Sequence, residues 1–210
     1  MKNQLDNPLP LCYISFMGKS VLDKKVFRNA VLLIIELSGE NGIGAVKLNK
    51  CLIISDALHH ALYKESLTGA PYIKHKYGPV LGKEAYDLLQ KMIRSEDILV
   101  FEEMVSPDVY ENNHYPNPDV KASREFFTDK QINIISWAVS TVMNMTAREL
   151  SDVTHDRSYQ KTLMFHEINL DDIYSWKIEE ASADHSRIDK IIGENLGILT
   201  SLSAEETANY

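Results

Sequence analysis

The stretch from Val46 to Pro79 (VKLNKCLIISDALHHALYKESLTGAPYIKHKYGP) constrains this chain most. From about Ala45 to Lys64, Leu48, Cys51, Leu52, Ser55, Leu58, His59 and Leu62 recur along one side, and Ile54, Ala57 and Ala61 widen the stripe. That spacing is helical, and so wide an apolar surface predicts a helix packed on more than one side. Lys47, Lys50 and Asp56 fall on the remaining polar side, which reads as either a solvated face or a charged docking surface. Leu67-Thr68-Gly69 then forms a turn, and Tyr72–Tyr77 alternates as a short strand that Gly78-Pro79 is expected to stop. Tyr77-Gly78-Pro79 reads first as architecture: Gly permits a backbone conformation that other residues resist, and Pro fixes entry to the next helix.

The flanks are mostly helical. Val26, Phe27, Ala30, Val31, Ile34 and Leu37 give a helix over about Leu22–Ser38, closed by Gly39, Gly42 and Gly44. Ala85, Leu88, Leu89 and Met92 predict a helix over about Leu81–Ile93. Ile98–Phe101 is rich in β-formers, and the prolines at 107, 116 and 118 make Ser106–Ser123 irregular, with Asp108–Tyr115 as a possible return strand. Two capping boxes, Thr128…Gln131 and Thr146…Glu149, open further helices, to about Met143 and His155. Helices are also expected over Ser158–Glu167 and Asp184–Leu199. The fold class expected is α+β, predominantly helical, with a small sheet or hairpin. Residues 1–20 form an extension, 21–200 the folded domain with its C-terminal helix, and 201–210 a polar tail.

With 210 residues and 44% hydrophobic content, the chain can bury a substantial core. No apolar run is long enough to span a bilayer, and the N-terminus has no secretory pattern, so a cytoplasmic protein with reduced Cys12 and Cys51 is expected. The net charge of −8 is uneven: residues 1–94 hold 13 Lys and Arg against 8 acidic residues, whereas 95–210 hold 9 against 22. An acidic second half repels phosphate backbones and can attract a basic partner, although a plain solvated surface has the same composition.

Chemistry-bearing motifs are few. Lys74-His75-Lys76 between Tyr72 and Tyr77 could touch phosphates or bases, but three basic residues are few, so nucleic acid is not the expected partner. His155 lies near Asp152 and Asp156, which invites a catalytic reading; a hydrogen-bonding structural histidine is the expected one. His59-His60 are adjacent on a helix and diverge by about 100°, unsuited to a shared metal. There is no HExxH, CxxC, phosphate-binding glycine loop or GxSxG, so neither an enzyme, a cofactor nor a metal is expected. Trp137, Tyr159 and Trp176 read as core anchors.

These landmarks together resemble the Panacea domain, the SocA-like antitoxin domain of toxin–antitoxin systems, over roughly residues 24–165. The resemblance rests on Lys47-Leu48-x-Lys50 with Asp56 following, then Thr68-Gly69, Tyr72-Ile73, Tyr77-Gly78-Pro79, and Leu150-Ser151-x-x-Thr154-His155. Where the family often has a Trp after the histidine, this chain has Tyr159 nearby. The resemblance implies an antitoxin of bacterial or phage origin that binds a cognate protein toxin directly in a hetero-oligomer, without a cofactor. A proteolytic adaptor and a DNA-binding autoregulator are the alternatives. Lys47, Lys50, Tyr72, Lys74 and Tyr77 are the candidate partner contacts. Asp56, Thr68, Gly69, Gly78, Pro79 and His155 are the candidate fold-specifying set.

Overall fold

A computed structural model describes residues 21–170, apart from 107, 108 and 156. The expected N-terminal extension, the helix over Asp184–Leu199, Trp176, Cys12 and the tail lie outside the described residues.

Helix α1 (Lys24–Leu37) starts where Asp23 accepts the backbone N–H groups of Lys25 and Val26 at 2.9 and 3.0 Å. It buries Phe27 and the run Ala30–Ile35. After a two-residue strand, β1 (Ile43–Gly44), helix α2 (Ala45–Tyr63) runs through the middle of the molecule. It packs against α1, α4 and the β2–β3 hairpin, and every residue from Lys50 to His59 is buried. The expected solvated polar side of this helix is therefore absent. Lys50 and Asp56 face other layers of the protein, because neighbours surround the Lys50–His59 stretch of α2 on all sides.

Strands β2 (Tyr72–His75) and β3 (Gly78–Leu81) form an antiparallel hairpin with Tyr72 opposite Leu81 and His75 opposite Gly78. Gly78-Pro79 thus opens the return strand instead of stopping the first. Pro79 is tolerated there beside a turn at the end of a two-stranded ladder, where few backbone donors are needed. Helix α3 (Lys83–Arg94) follows. Strands β4 (Ile98–Ser106) and β5 (Val109–Pro116) pair as a long antiparallel ladder, so Val109–Pro116, within the segment expected to be irregular, is a strand. With β1 they form a three-stranded antiparallel sheet in the order β1-β5-β4.

Helix α4 (Asp129–Met143) and helix α5 (Ala147–Thr154) begin at the two capping boxes, both formed as expected. Helix α6 (Arg157–Lys161) is shorter than the sequence predicts. The chain beyond it pairs with β2: Lys74 N–H donates to His166 O at 2.9 Å and Ile168 N–H to Tyr72 O at 2.7 Å. Those backbone groups find β-type partners, so the helix stops. The core joins α1, α2 and α4 with Tyr72, Leu89, Met92 and Ile98. The architecture is α+β and mostly helical, as the sequence predicts.

Candidate functional site

Two polar assemblies hang from α2, less than two helical turns apart. The first is centred on Asp56, which is buried. Its Oδ1 accepts from Thr68 N–H at 2.6 Å and Ser66 Oγ at 2.7 Å. Its Oδ2 accepts from Thr68 Oγ1 at 2.7 Å and from the Tyr72 hydroxyl at 2.6 Å. Burial pushes this carboxyl's pKa up, while the four hydrogen bonds pull toward the anion. One side chain thereby ties the central helix to the Ser66–Ala70 turn and to β2. Gly69 belongs to the same knot: at φ 71° it is left-handed, and a Cβ there would run into the Val21 carbonyl. Tyr72 is buried with its hydroxyl engaged, and burial beside Asp56 raises its pKa. This assembly is a fastening, built from residues the sequence marks as a pattern without saying why.

The second assembly lies under the β2–β3 turn. Lys50 is 2% exposed, and its Nζ donates to Thr154 Oγ1 at 2.9 Å. Gly78 sits directly over the ammonium at φ 105°. A Cβ on Gly78 would overlap Lys50 Nζ and would lie 3.3 Å from both His155 Nε2 and Thr154 Oγ1. Three polar side-chain atoms therefore converge on one glycine. His155 stacks on Tyr159, with ring centroids 4.1 Å apart and planes inclined by 4°. The ammonium of Lys74 lies 4.6 Å from the centre of the Tyr159 ring and donates to Thr162 O at 2.8 Å. The Tyr159 hydroxyl donates to His75 O at 2.6 Å. Burial holds the Lys50 pKa down at about 8. Burial, with the positive charges of Lys50 and Lys74, lowers that of His155 against the opposing pull of Asp152.

Outside this cluster lies an apolar surface. Tyr77 is 70% exposed, Leu163 68% and Phe165 70%. The ring centroid of His75 lies 6.3 Å from that of Tyr77 and 6.0 Å from that of Phe165, so the three rings are neighbours. Lys76 lies over the Tyr77 ring at 5.1 Å. Phe165 adopts a left-handed backbone, φ 64°, which costs a bulky residue about 1 kcal/mol. The fold holds this ring outward at an energetic cost.

Of the candidate partner contacts, Lys74 and Tyr77 lie at this face, whereas Lys50 and Tyr72 are buried beneath it. Lys47 is half-buried and donates to Met143 O at 3.2 Å, closing the end of α4 onto α2. Sequence reasoning missed Leu163 and Phe165, which it placed inside a longer helix. An apolar trio at 163–165 interrupting polar residues was the available signal.

Among the described residues, no group of three or more His, Cys, Asp or Glu side chains is placed to hold a metal ion. Nor is any helix among them long and apolar enough to cross a membrane. The knot, the glycine over the buried lysine and the Thr-His end of α5 all fall within residues 48–159, the span matched by the family model for the antitoxin SocA-like, Panacea domain. The chain belongs to the SocA-like Panacea family. No curated protein and no solved structure matches it. A Panacea domain suggests an antitoxin role and a non-enzymatic one, with a toxin as the general class of partner. Within the matched span, the Asp56 knot joins α2 to the Ser66–Ala70 turn and β2, and Lys50 joins α2 to the end of α5 beneath Gly78.

Proposed function

We propose that this chain is a cytoplasmic antitoxin that neutralises a cognate protein toxin by binding it directly, and that the β2–β3 turn face makes the contact. The observation that carries this reading is the exposed set Tyr77, Leu163 and Phe165, bordered by Lys74 and Lys76, on a domain of an antitoxin family. Large exposed apolar residues grouped beside polar ones are characteristic of protein-binding surfaces, and aromatic side chains supply much of the energy at such surfaces. Tyr72 ties β2 to Asp56 and the Tyr159 hydroxyl ties the turn at His75 O, and a contact surface held in place this way needs less ordering on association.

The test is to express the adjacent reading frame alone and together with this chain, then score growth and recover the pair by pull-down. Growth arrest relieved by co-expression, with the two proteins recovered together, is the expected result. The double change Tyr77→Ser with Phe165→Ser should weaken recovery about tenfold or more while leaving the urea midpoint of the isolated chain nearly unchanged, since both rings are exposed. Arrest that co-expression leaves untouched would refute the antitoxin reading. Full recovery of the double variant would move the contact to another face.

A further inference from the structure

Lys50 presents an unusual imbalance. Its ammonium is buried, yet among the described residues its hydrogen bonding is a single contact, to Thr154 Oγ1. No carboxylate among them lies within ion-pair distance of it. Asp152 is exposed on α5, and Asp56, elsewhere on α2, is saturated by its own four donors. A buried ion without a counter-charge is costly, and such groups are ordinarily paired. Two of the three ammonium protons have no described acceptor. Thr154 Oγ1 donates to Leu150 O at 2.7 Å, so it meets Lys50 with a lone pair and cannot supply a negative charge.

The surroundings add positive potential. The His155 ring and the Lys74 ammonium lie in the same field as Lys50. His155 and Thr154 are half-buried and form the rim between the buried ammonium and solvent. Gly78 has no side chain, and the room a Cβ would need is taken by the Lys50 ammonium itself, with His155 Nε2 and Thr154 Oγ1 beside it. A lysine this buried is expected in a site whose counter-charge arrives from outside the domain.

We propose that Lys50, Thr154 and His155, beneath Gly78, form a receptor for one oxyanion group, a carboxylate or a phosphate. The ammonium supplies charge and two N–H donors, Thr154 orients it, and His155 forms the mouth. This site does not depend on the antitoxin reading, and its test requires no toxin.

The full chain is melted in phosphate, in acetate and in chloride at equal ionic strength, alongside Lys50→Met. Met keeps the length and removes the charge, so the variant should fold at least as well as the parent. Phosphate stabilises most proteins non-specifically, so the quantity read is the gain of the parent over the variant. At about tenfold excess over Kd, that extra gain should be about 3 °C or more. It should shrink at pH 9.5, where Lys50, with its pKa near 8, is largely neutral. The remaining titratable groups facing the site are His155 and Asp152 on α5, Lys74 on β2 and Tyr159 on α6. An excess with phosphate alone identifies a phosphate-type ligand, and an excess with acetate as well identifies carboxylates. If Lys50→Met does not fold, Thr154→Val takes its place, with backbone amide shifts of Gly78 and His155 read during anion titration. Equal gains in parent and variant, no gain with either anion, or a gain undiminished at pH 9.5 would each overturn the proposal.

Discussion

Asp56→Asn tests how much of this fold hangs on a single carboxylate. The oxygen Oδ1 faces the Thr68 backbone N–H, which cannot turn away, so the substituted side chain must place its carbonyl there and its amide at Oδ2. The amide then meets the hydroxyls of Thr68 and Tyr72, which can rotate to accept from it. Each hydroxyl proton thereby loses its acceptor in a buried setting, and the two remaining bonds lose the charge that strengthened them. At about 1–3 kcal/mol per stranded donor, moderated by the new amide contacts, the loss should be about 3 kcal/mol. Asp56→Ala strands all four donors and should cost about 5 kcal/mol or more. The assay is urea unfolding of the full chain followed by far-ultraviolet circular dichroism. A cycle with Tyr72→Phe sharpens it. Alone, that change removes a hydrogen bond to a charged acceptor and should cost about 2 kcal/mol. In the Asp56→Asn background the tyrosine proton is already stranded, so the same change should cost much less. Strict additivity, or an Asp56→Asn variant within about 0.5 kcal/mol of the parent, would refute the account of the knot.

Two further outcomes follow from the Lys50 cluster. The folded state holds the Lys50 pKa at about 8 against an ordinary 10.5, so between those values the unfolded chain keeps a proton that the folded chain has lost. The stability of the parent relative to Lys50→Met should therefore rise with pH across that window, by about 3 kcal/mol in all, and be flat on either side. The difference between the two proteins is the quantity to measure, because burial lifts the Cys51 thiol to about 12 from 9 and this lowers the stability of both as pH rises. A difference that does not change with pH would contradict the buried ammonium. Separately, Gly78→Ala places a Cβ over Lys50 Nζ at φ 105°, combining backbone strain with displacement of the ammonium. Chemical denaturation should show a loss of about 2–4 kcal/mol, and a neutral substitution would show that the turn can relax away from Lys50.

The helices of this chain were legible because their signals are local. The boxes at Thr128 and Thr146 act within three residues, and the apolar stripes of α1, α3 and α4 are read along one turn at a time. Strand β3 was less legible. Gly78-Pro79 carries the same signal whether it ends a chain segment or reverses it, and only the ladder with β2 distinguishes the two. The overlong prediction for α6 has a similar cause: residues 162–167 have helical composition, but Phe165 N–H and His166 O bond to Lys74 on β2 instead of to a continuing helix.

The polar residues of α2 mark the division between sequence and structure. By itself the sequence determined that α2 is a long helix and, through the order of its landmarks, that the chain resembles the family whose model matches residues 48–159. It could not show that the side bearing Lys50 and Asp56 would be covered. Apolar periodicity reports which surface leaves water first, and says nothing of what packs against the rest. Only the tertiary structure brought the Ser66–Ala70 turn onto Asp56 and Thr154 onto Lys50, across sequence separations of about ten and one hundred residues. A polar group is exposed or buried according to whether donors, acceptors and charge from distant segments arrive to satisfy it.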